Sequence, residues 1–202
     1  MSLKRPLIIV AYPEAFGCQP KFIRKLDYLL SNQAEVELYA LEDVRQWLPK
    51  YAEERKIPTS FRLIKSLSEV KLTHGIIFDD GESQNELIKS CHQMQLKIRL
   101  VSTPLTRVVN IDRKMAHDIY IGRGSPWGNP YAVGFGLSPG EEQDDREEAI
   151  RKFQYDFERN YLKSQKEDFH PLQGKILGCH CKPAHCHGDV IAEYLNSLDD
   201  GR

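Results

Sequence analysis

Short apolar runs alternate with amphipathic stretches through the first hundred residues, and this alternation constrains the fold more than any other feature of the sequence. The apolar runs are residues 7–12, 36–40, 74–78 and 97–101. Each has the length and composition of a buried strand, and apolar residues recur between them at helical spacing, as Phe22, Leu26 and Leu30 do. Strands that alternate with helices pair in parallel through right-handed crossovers. The pattern therefore predicts an α/β fold that begins with a Rossmann-like parallel sheet and its helices.

Three further helices are expected in this first part of the chain. Residues 44–51 and residues 61–72 show helical spacing of apolar side chains. The third helix is expected to begin after Ser83, a good N-cap, with Glu86 three residues later completing a capping box.

The pattern changes after Ser102-Thr103-Pro104. The remaining elements are predicted as strands at 107–111, 118–121 and 175–179, a Gly- and Pro-rich loop at 122–139, and a final helix at 188–198. A long helix before the last strand is expected to be capped by Asp145, with Glu148 completing a capping box. These elements predict a small α+β domain, so we expect two domains, residues 1–103 and residues 104–202.

The charge balance argues against the simplest kind of nucleic-acid-binding protein. The chain has 28 Lys and Arg against 29 Asp and Glu, a formal net charge of −1, and neither half is strongly basic. Nonspecific binding to nucleic acid relies on a surplus of cations that displaces counterions. Nucleic acid is therefore a disfavoured partner, although the composition is compatible with a local basic groove.

Membrane insertion and secretion are not expected either. No apolar run approaches the roughly 20 residues that a membrane span needs. The N-terminus leads into a short apolar run and lacks the hydrophobic region and small-residue cleavage site of a secretory signal. We therefore expect a cytoplasmic protein that has no membrane partner.

The five cysteines are unevenly placed. Cys18 and Cys91 stand alone, whereas Cys179, Cys181 and Cys186 fall within eight residues. An odd number of cysteines in a chain without a secretory signal indicates reduced thiols. The cluster is therefore expected to bind metal, to take part in chemistry or to be buried.

Residues 178–189 contain three thiols and three imidazoles. If the preceding strand extends to Cys181, its period of two places Cys179 and Cys181 on one face. Cys186 and His187 come just before the last predicted helix, whose free N–H groups and dipole favour a thiolate or an anionic ligand.

Three interpretations of this segment stay open. It can be an active or binding site that presents Cys186 and His187 to a ligand. It can be a zinc site made by the three cysteines and His187, although the Cys-x-Cys spacing is tighter than that of structural zinc sites. It can also be a set of buried cysteines with incidental histidines, since free cysteine is among the most buried residues.

A second unusual segment, residues 122–130, reads Gly-Arg-Gly-Ser-Pro-Trp-Gly-Asn-Pro and directly follows a predicted strand. Glycines let the backbone approach a ligand closely, and Arg123 and Ser125 supply donors suited to phosphate or carboxylate. No Gly-Lys-Ser/Thr follows and no helix opens behind the segment, so it is neither a Walker loop nor a dinucleotide-binding loop. The alternative is a hairpin or Ω-loop whose Trp127 packs on the core.

Several ordered motifs in the second half resemble a single family. They are Val108-Val109-Asn110, residues 120–130, Arg146-Glu147-Glu148-Ala149-Ile150, residues 177–183 and Cys186-His187-Gly188-Asp189. Over residues 105–198 the chain resembles the bacterial and phage family called domain of unknown function 4326. That family has no established activity, but its polar motifs are more typical of a site than of a core. The resemblance therefore favours a site at both the glycine–arginine loop and the cysteine–histidine segment.

Residues 73–83, with the helix and strand that follow, resemble the SLOG superfamily of Rossmann-like domains, which is related to the LOG phosphoribohydrolases and the DNA-processing protein A. The resemblance implies a domain that binds nucleotide-derived ligands at a glycine-rich turn. This sequence departs from the pattern, since Asn85-Glu86 replaces the expected Gly-Thr and the earlier Gly-Gly phosphate motif is absent. A degenerate sensor or scaffold is therefore expected here, with Asp79-Asp80-Gly81 forming a simple turn.

The favoured hypothesis is that the second domain binds a nucleotide-derived or phosphorylated small molecule, and whether it also processes that molecule as an enzyme is left open. The proposed ligand contacts are Asn110, Arg123, Gly124, Ser125, Gly128, Asn129, Cys179 and Cys181. Cys186 is the candidate nucleophile, His187 the candidate acid–base group and Asp189 the group that orients it. No metal ligand or cofactor is assigned under this hypothesis. Its rivals are a non-catalytic nucleotide-sensing or partner-binding module and a zinc-stabilised structural domain.

Overall fold

The computed structural model describes residues 5–55, 58–131 and 141–201, with residues 141–144 described by their backbone only. The chain divides into two compact units. The first runs through Pro104 and also includes the C-terminal end from Asp199, and the second is Leu105–Leu198. The division expected from the sequence lies one residue earlier, after Thr103, and leaves the C-terminal end in the second domain.

The first unit is a five-stranded parallel sheet with helices between its strands. Its elements are β1 (Leu7–Ala11), α1 (Gln19–Leu30), β2 (Val36–Ala40), α2 (Trp47–Glu54), β3 (Thr59–Leu63), β4 (His74–Asp79), α3 (Asn85–Gln93) and β5 (Lys97–Ser102). The strands lie in the order β3-β2-β1-β4-β5, and every pair is parallel. The predicted α/β fold with a Rossmann-like sheet is confirmed, and the apolar runs account for four of these strands.

The strand that the sequence did not predict is β3. The helix expected at residues 61–72 is wrong, because this stretch contains the end of β3 and a short 3-10 turn at Leu67–Glu69. β3 lies at the edge of the sheet and pairs with β2, with Phe61 opposite Leu38. All five of its residues are partly or fully exposed, and no alternation of apolar and polar residues marks it as a strand. Pairing with β2 decides its conformation.

Two helix starts also differ from the prediction. α3 begins at Asn85, and the hydroxyl of Ser83, the expected N-cap, instead donates to the Asp80 carboxylate at 3.0 Å. α2 begins at Trp47, where the Asp43 carboxylate accepts the Trp47 N–H at 3.1 Å and the next N–H at 3.0 Å. The first N–H groups of a helix lack a partner within the helix, and at α2 this aspartate supplies one.

Six aromatic rings pack together at the carboxyl end of this sheet. They belong to Tyr12, Phe16, Phe22, Trp47, Tyr51 and Phe78, none of which is more than 8% exposed. The Phe78 ring, near the end of β4, lies 5.4 Å from the Phe16 ring and 5.1 Å from the Phe22 ring. In open α/β sheets, ligands bind at this end where the strand order reverses, which here is between β1 and β4. The rings occupy that position.

The second unit is a smaller sheet packed with helices. Its elements are β6 (Arg107–Asn110), β7 (Ile119–Tyr120), α4 (Glu141–Glu158), β8 (Ile176–Cys179) and α5 (His187–Ser197). The strands lie in the order β6-β8-β7 and are all parallel. Its core includes Phe153 and Phe157 from α4, Leu177 from β8 and Ile191 from α5. The expected smaller sheet-and-helix region is therefore confirmed.

The start of α4 differs from the prediction. The helix begins at Glu141, so the expected cap, Asp145, lies one turn inside it, and Glu148 pairs with Lys152 at 2.8 Å instead of closing a capping box. The Gly- and Pro-rich loop before it is described through Tyr131, and residues 132–139 of that prediction lie outside the described residues. None of the described helices is both long enough and apolar enough to cross a membrane.

The C-terminal end of the chain contacts α1. The Arg24 guanidinium donates to both Asp199 carboxylate oxygens, at 2.5 and 2.9 Å, and the Lys21 ammonium donates to Asp200 at 2.6 Å. Bidentate and charge-assisted hydrogen bonds of this kind fix geometry as well as charge. They explain why the end of the chain belongs to the first unit.

Candidate functional site

The three strands of the second sheet end at one edge because they are parallel. β6 ends at Asn110, which lies opposite Cys179 at the end of β8, and β7 ends at Tyr120, which lies opposite Gly178. The loops that follow the strands therefore meet at this edge. In parallel α/β sheets this is the edge at which ligands bind.

A cavity of about 590 Å³ opens at this edge. It is lined by Tyr120, Gly122, Arg123, Asn129, Tyr131, Arg146, Ile150, Cys179, His180, Cys181, His185, Cys186 and His187. Its volume falls within the roughly 300–1,000 Å³ that small-ligand sites occupy. Of the residues that the structure describes, those lining the cavity include two arginines and three histidines but no aspartate or glutamate.

The three thiols and one imidazole lie together in this lining. The metal-binding atoms of Cys179, Cys186 and His187 all lie within 4.8 Å of one another, and none of the three residues is more than 5% exposed. The Cys181 thiol is in hydrogen-bonding contact with the thiols of both other cysteines. A turn closed by the Ala184 N–H and the Cys181 carbonyl, 3.0 Å apart, returns the chain to the cluster.

The contacts within the cluster separate the acidities of the thiols. Hydrogen bonds from Cys179 and Cys186, with a further one from the Arg146 guanidinium, hold the pKa of Cys181 far below its usual range. Hydrogen bonding to the neighbouring thiols and burial raise the pKa of Cys186. These contacts therefore favour a thiolate at Cys181, beside Arg146, more than at Cys186, the nucleophile expected from the sequence.

The orientation of His187 is set by the backbone. Its Nε2 lies 2.9 Å from the Ile121 carbonyl oxygen, which can only accept, so Nε2 carries the proton. Burial lowers the pKa of His187 and keeps the ring neutral. A neutral imidazole protonated on Nε2 has its lone pair on Nδ1. His187 therefore offers Nδ1 as a ligand atom or proton acceptor.

Asp189, expected to orient His187, makes other contacts. One carboxylate oxygen accepts the Cys186 backbone N–H at 2.9 Å, and the other accepts the Lys182 ammonium. Because Asp189 is the third residue of α5, its carboxylate is placed to bond the residue just before the helix. Asp189 therefore fixes Cys186 at the start of α5. The Ile121 carbonyl orients His187, the role that was predicted for Asp189.

Asn110, expected to contact a ligand, instead holds the cysteine loop. Its Nδ2 donates to the carbonyls of His180, at 3.0 Å, and Lys182. Its Oδ1 accepts the N–H groups of Asp112 at 2.7 Å and Arg113 at 3.3 Å. Both ends of this buried side chain are therefore used by the protein, and Asn110 is absent from the described lining of the cavity.

Most polar groups of the glycine–arginine loop serve the loop itself. The Ser125 hydroxyl donates to the Gly122 carbonyl at 2.8 Å, and the Gly128 N–H donates to the Ser125 carbonyl at 3.2 Å. A Cβ at Gly128 would lie 2.7 Å from the Gly122 carbonyl oxygen, so only glycine allows this close approach of the backbone. Gly124, Ser125 and Gly128 line neighbouring cavities and not the one that contains the cysteines.

Three residues of this loop reach the cysteine cavity, Gly122, Arg123 and Asn129. The Asn129 Oδ1 accepts the Tyr131 N–H at 2.9 Å, so this side chain also shapes the loop. Trp127 packs against the core, as the alternative interpretation expects, and its indole N–H donates to the Asp168 carbonyl at 3.2 Å. Arg123 is exposed, and its guanidinium is the group of this loop best suited to an anion.

Two family models match the chain, one over each half. The model described as Minimal SLOG domain matches residues 5–109, and the model described as Domain of unknown function (DUF4326) matches residues 107–197. The chain belongs to the minimal SLOG domain family and carries a DUF4326 domain. Both resemblances stated from the sequence motifs are confirmed. The SLOG domain contains the five-stranded sheet, and the DUF4326 domain contains the cysteine cavity.

A curated relative shares part of the chain. The uncharacterized 12.4 kDa protein in the nrdA-td intergenic region of Enterobacteria phage T4 is 43% identical over 96 residues, which are 46% of this chain and 81% of the phage protein. No solved structure matches the chain.

The DUF4326 cavity brings together about half of the predicted site residues. Those in its lining are Arg123, Asn129, Cys179, Cys181, Cys186 and His187. Those outside its described lining are Asn110, Gly124, Ser125, Gly128 and Asp189. Four residues of the second group make contacts that shape the backbone around the first group: Asn110, Ser125, Gly128 and Asp189.

Seven residues of the lining were not among the predicted site residues: Tyr120, Gly122, Tyr131, Arg146, Ile150, His180 and His185. Tyr120 is the last residue of β7 and His180 directly follows β8, so a rule that takes every polar or aromatic residue at the end of a strand or just after it would have found them. Arg146 lies on α4, far along the chain from the cysteines. The motif that contains Arg146, residues 146–150, is one of those that resemble the family, but the contact with Cys181 depends on how α4 packs within the domain.

The SLOG domain has the simple turn expected after β4. The Asp79 carboxylate accepts the Gly81 N–H at 2.9 Å, and the Asp80 carboxylate accepts the N–H groups of Glu82 and Ser83 at 3.0 and 2.8 Å. Gly81 has a φ of +84°, which glycine adopts without strain. The N–H groups that could hold a phosphate are therefore already bonded to carboxylates.

Proposed function

We propose that the DUF4326 domain binds a small phosphorylated molecule of nucleotide type in the cavity at the carboxyl edge of its sheet. The observation that carries the proposal is an exposed arginine, Arg123, in a cavity whose described lining holds no carboxylate. An anion that leaves water needs a cationic or hydrogen-bonding partner, and guanidinium fits phosphate with two parallel hydrogen bonds.

A second guanidinium supports the same ligand chemistry. Arg146 reaches the cavity from α4, whereas Arg123 follows β7. Arg146 donates to the Cys181 thiol, and an arginine has five donors, so further N–H groups are available for a ligand. Two arginines from separate segments match the charge of a diphosphate better than that of a single carboxylate.

Aromatic rings in the same cavity are suited to a nucleobase. The Tyr120 ring meets the His180 ring edge to face, 5.9 Å apart, and the Tyr131 hydroxyl is held by Asp156. Stacking of a base on such a ring contributes about 1–3 kcal/mol. SLOG domains are associated with nucleotide-related ligands, and the SLOG domain of this chain has aromatic rings where such a ligand would lie. These observations favour the DUF4326 cavity as the nucleotide site.

Calorimetric titration of the full chain tests the proposal. The probes are adenosine, guanosine, cytidine and uridine diphosphates, with the four nucleosides and inorganic phosphate titrated separately. We expect at least one diphosphate to bind more tightly than its nucleoside. Arg123→Gln should weaken the binding of that diphosphate by about 10- to 100-fold, which corresponds to the roughly 1.5–3 kcal/mol of a charged hydrogen bond. The affinity for the nucleoside should not change.

Arg151→Gln is the matched control. Arg151 lies on α4 like Arg146, is exposed and does not line the cavity, so its loss should leave the affinity unchanged. Binding of no diphosphate, or equal weakening by Arg123→Gln and Arg151→Gln, would overturn the proposal. Equal weakening of diphosphate binding by the two variants would mean that Arg123 acts only through the overall charge of the protein.

A further inference from the structure

We infer that Cys179, Cys181, Cys186 and His187 form a four-coordinate zinc site. The site stands independently of the nucleotide proposal, because it rests on the arrangement of the donor atoms alone. The metal-binding atoms of Cys179, Cys186 and His187 lie within 4.8 Å of one another. Ligands on one zinc ion lie about 3.5–3.8 Å apart, given tetrahedral angles and bonds of about 2.0–2.3 Å. Small side-chain rotations therefore suffice to close these three donors on one ion.

Cys181 supplies the fourth donor. Its thiol contacts those of Cys179 and Cys186 and accepts a hydrogen bond from the Arg146 guanidinium. The tight Cys-x-Cys spacing is no obstacle, because β8 ends at Cys179 and the Cys181 thiol, two residues farther along the chain, already contacts the thiols of Cys179 and Cys186. Three thiolates and one imidazole form a soft, tetrahedral donor set that is typical of structural zinc.

The hydrogen bonds made to the four proposed ligand residues by their neighbours are also typical of a metal site. Histidines that bind metal donate their other ring N–H to a carbonyl or carboxylate, and His187 donates Nε2–H to the Ile121 carbonyl at 2.9 Å. Arg146 donates to Cys181, which balances negative charge on a thiolate. Asp189 holds the Cys186 backbone, and Asn110 holds the carbonyls on either side of Cys181. Asp189 and Asn110 therefore hold the loop in place through its backbone groups and not through its sulfur atoms.

The other two cysteines, Cys18 and Cys91, are buried apart from the cluster and serve as a comparison. Cys18 and Cys91 are at most 1% exposed, and burial raises the pKa of each. Cys91 packs in an apolar cluster with residues such as Ile77 and Leu72. Burial accounts for Cys18 and Cys91, but the convergence of three thiols and an oriented imidazole needs a further cause.

Elemental analysis of the full chain, expressed with zinc and passed over a desalting column under reducing conditions, tests the inference. We expect about one zinc per chain. Cys186→Ala should lower the affinity for zinc, measured by competition with a chelator, by about tenfold or more, since even the loss of an outer partner costs at least that factor in affinity. Cys91→Ala, the same change at a buried cysteine of the SLOG domain, should retain the zinc.

A measurement on the unchanged chain covers the case in which Cys186→Ala does not fold. Stepwise titration of the thiols with an organomercurial should release the zinc into a colorimetric chelator, and Co²⁺ in place of zinc should show thiolate-to-metal charge-transfer absorption. Less than about a tenth of an equivalent of zinc, iron in its place, or a disulfide between two of the three clustered cysteines would overturn the inference. Equal affinity for zinc in the Cys186→Ala and Cys91→Ala variants would overturn it as well.

Discussion

The two domains of this chain build the same kind of edge and use it differently. In both, parallel strands end together, and the segments after the strands meet at that end. In the SLOG domain the meeting residues are six buried aromatic rings. In the DUF4326 domain they are arginines, histidines, tyrosines and cysteines around a cavity of about 590 Å³.

This difference shows that the topology of a parallel sheet does not by itself locate a site. Ligands of open α/β sheets bind at the carboxyl end of the strands because the loops there are free to vary. Rings that fill this end stabilise the sheet, whereas polar groups that remain unpaired there are available to a ligand. The residues at the edge, and not the order of the strands, therefore distinguish the SLOG domain from the DUF4326 domain with its candidate site.

The largest effect is expected in the aromatic cluster of the SLOG domain. Phe22→Ala should lower the free energy of unfolding by about 3–5 kcal/mol, because it removes a fully buried ring from contact with Phe78 and Trp47. Urea unfolding measures this in a Trp127→Phe background, in which Trp47 is the remaining tryptophan. Tyr28→Ala, at an exposed position of α1, is the control and should change stability by less than about 0.5 kcal/mol. A loss below about 1 kcal/mol for Phe22→Ala would break the comparison, since the rings would then not be a packed core.

The next effect concerns the cysteine loop of the DUF4326 domain. Asn110→Ala should cost about 2 kcal/mol, because it removes the partner of two carbonyls and two N–H groups. Asn196→Ala is the matched control, since Asn196 is equally buried and bonds both backbone groups of Thr106 away from the cysteines. Both variants should lose similar stability, measured by the fluorescence of Trp127. Only Asn110→Ala should speed the labelling of Cys181 by a thiol reagent, and equal labelling rates would show that Asn110 does not hold the loop.

A smaller effect is expected at the turn after β4 of the SLOG domain. Asp80→Ala removes an acceptor of three hydrogen bonds and should cost about 1–1.5 kcal/mol, whereas Asp80→Asn keeps an acceptor oxygen and should cost less. Neither variant should alter the affinity for a nucleoside diphosphate, measured by calorimetry. A change in that affinity would mean that the SLOG turn takes part in binding, and the contrast between the domains would fail.

The smallest effect is expected within the glycine–arginine loop. Ser125→Ala removes the hydrogen bond to the Gly122 carbonyl and should cost about 0.5–1 kcal/mol of stability. Because this hydroxyl serves the loop, the dissociation constant of a nucleoside diphosphate should stay within about twofold, in contrast to Arg123→Gln. A tenfold loss of affinity in Ser125→Ala would restore the sequence-based prediction that this hydroxyl contacts the ligand.

Local sequence patterns predicted the elements whose apolar side chains indicate that they form strands. The apolar runs of β1, β2 and β4 are buried strands, so hydrophobicity alone reveals them. The apolar run of β5 also predicted a strand, although most of its residues are exposed at the other edge of the sheet. β3 is an exposed edge strand, and its conformation comes from pairing with β2. Helix starts such as that of α2 were missed because the capping carboxylate of Asp43 lies several residues before the helix.

The candidate site shows the same division. Cys179, Cys181, Cys186 and His187 are close in sequence, so a single strand–turn–helix connection brings them together, and the sequence by itself determined that cluster. Which polar groups remain free for a ligand was decided by the tertiary structure. Asn110 and Ser125 have the same chemistry as ligand-binding residues, but packing supplies backbone partners that use their donors and acceptors. Arg146 reaches Cys181 only because α4 packs within the DUF4326 domain. Hydrogen-bonding capacity is a property of a residue, whereas its availability depends on the neighbours that folding places around it.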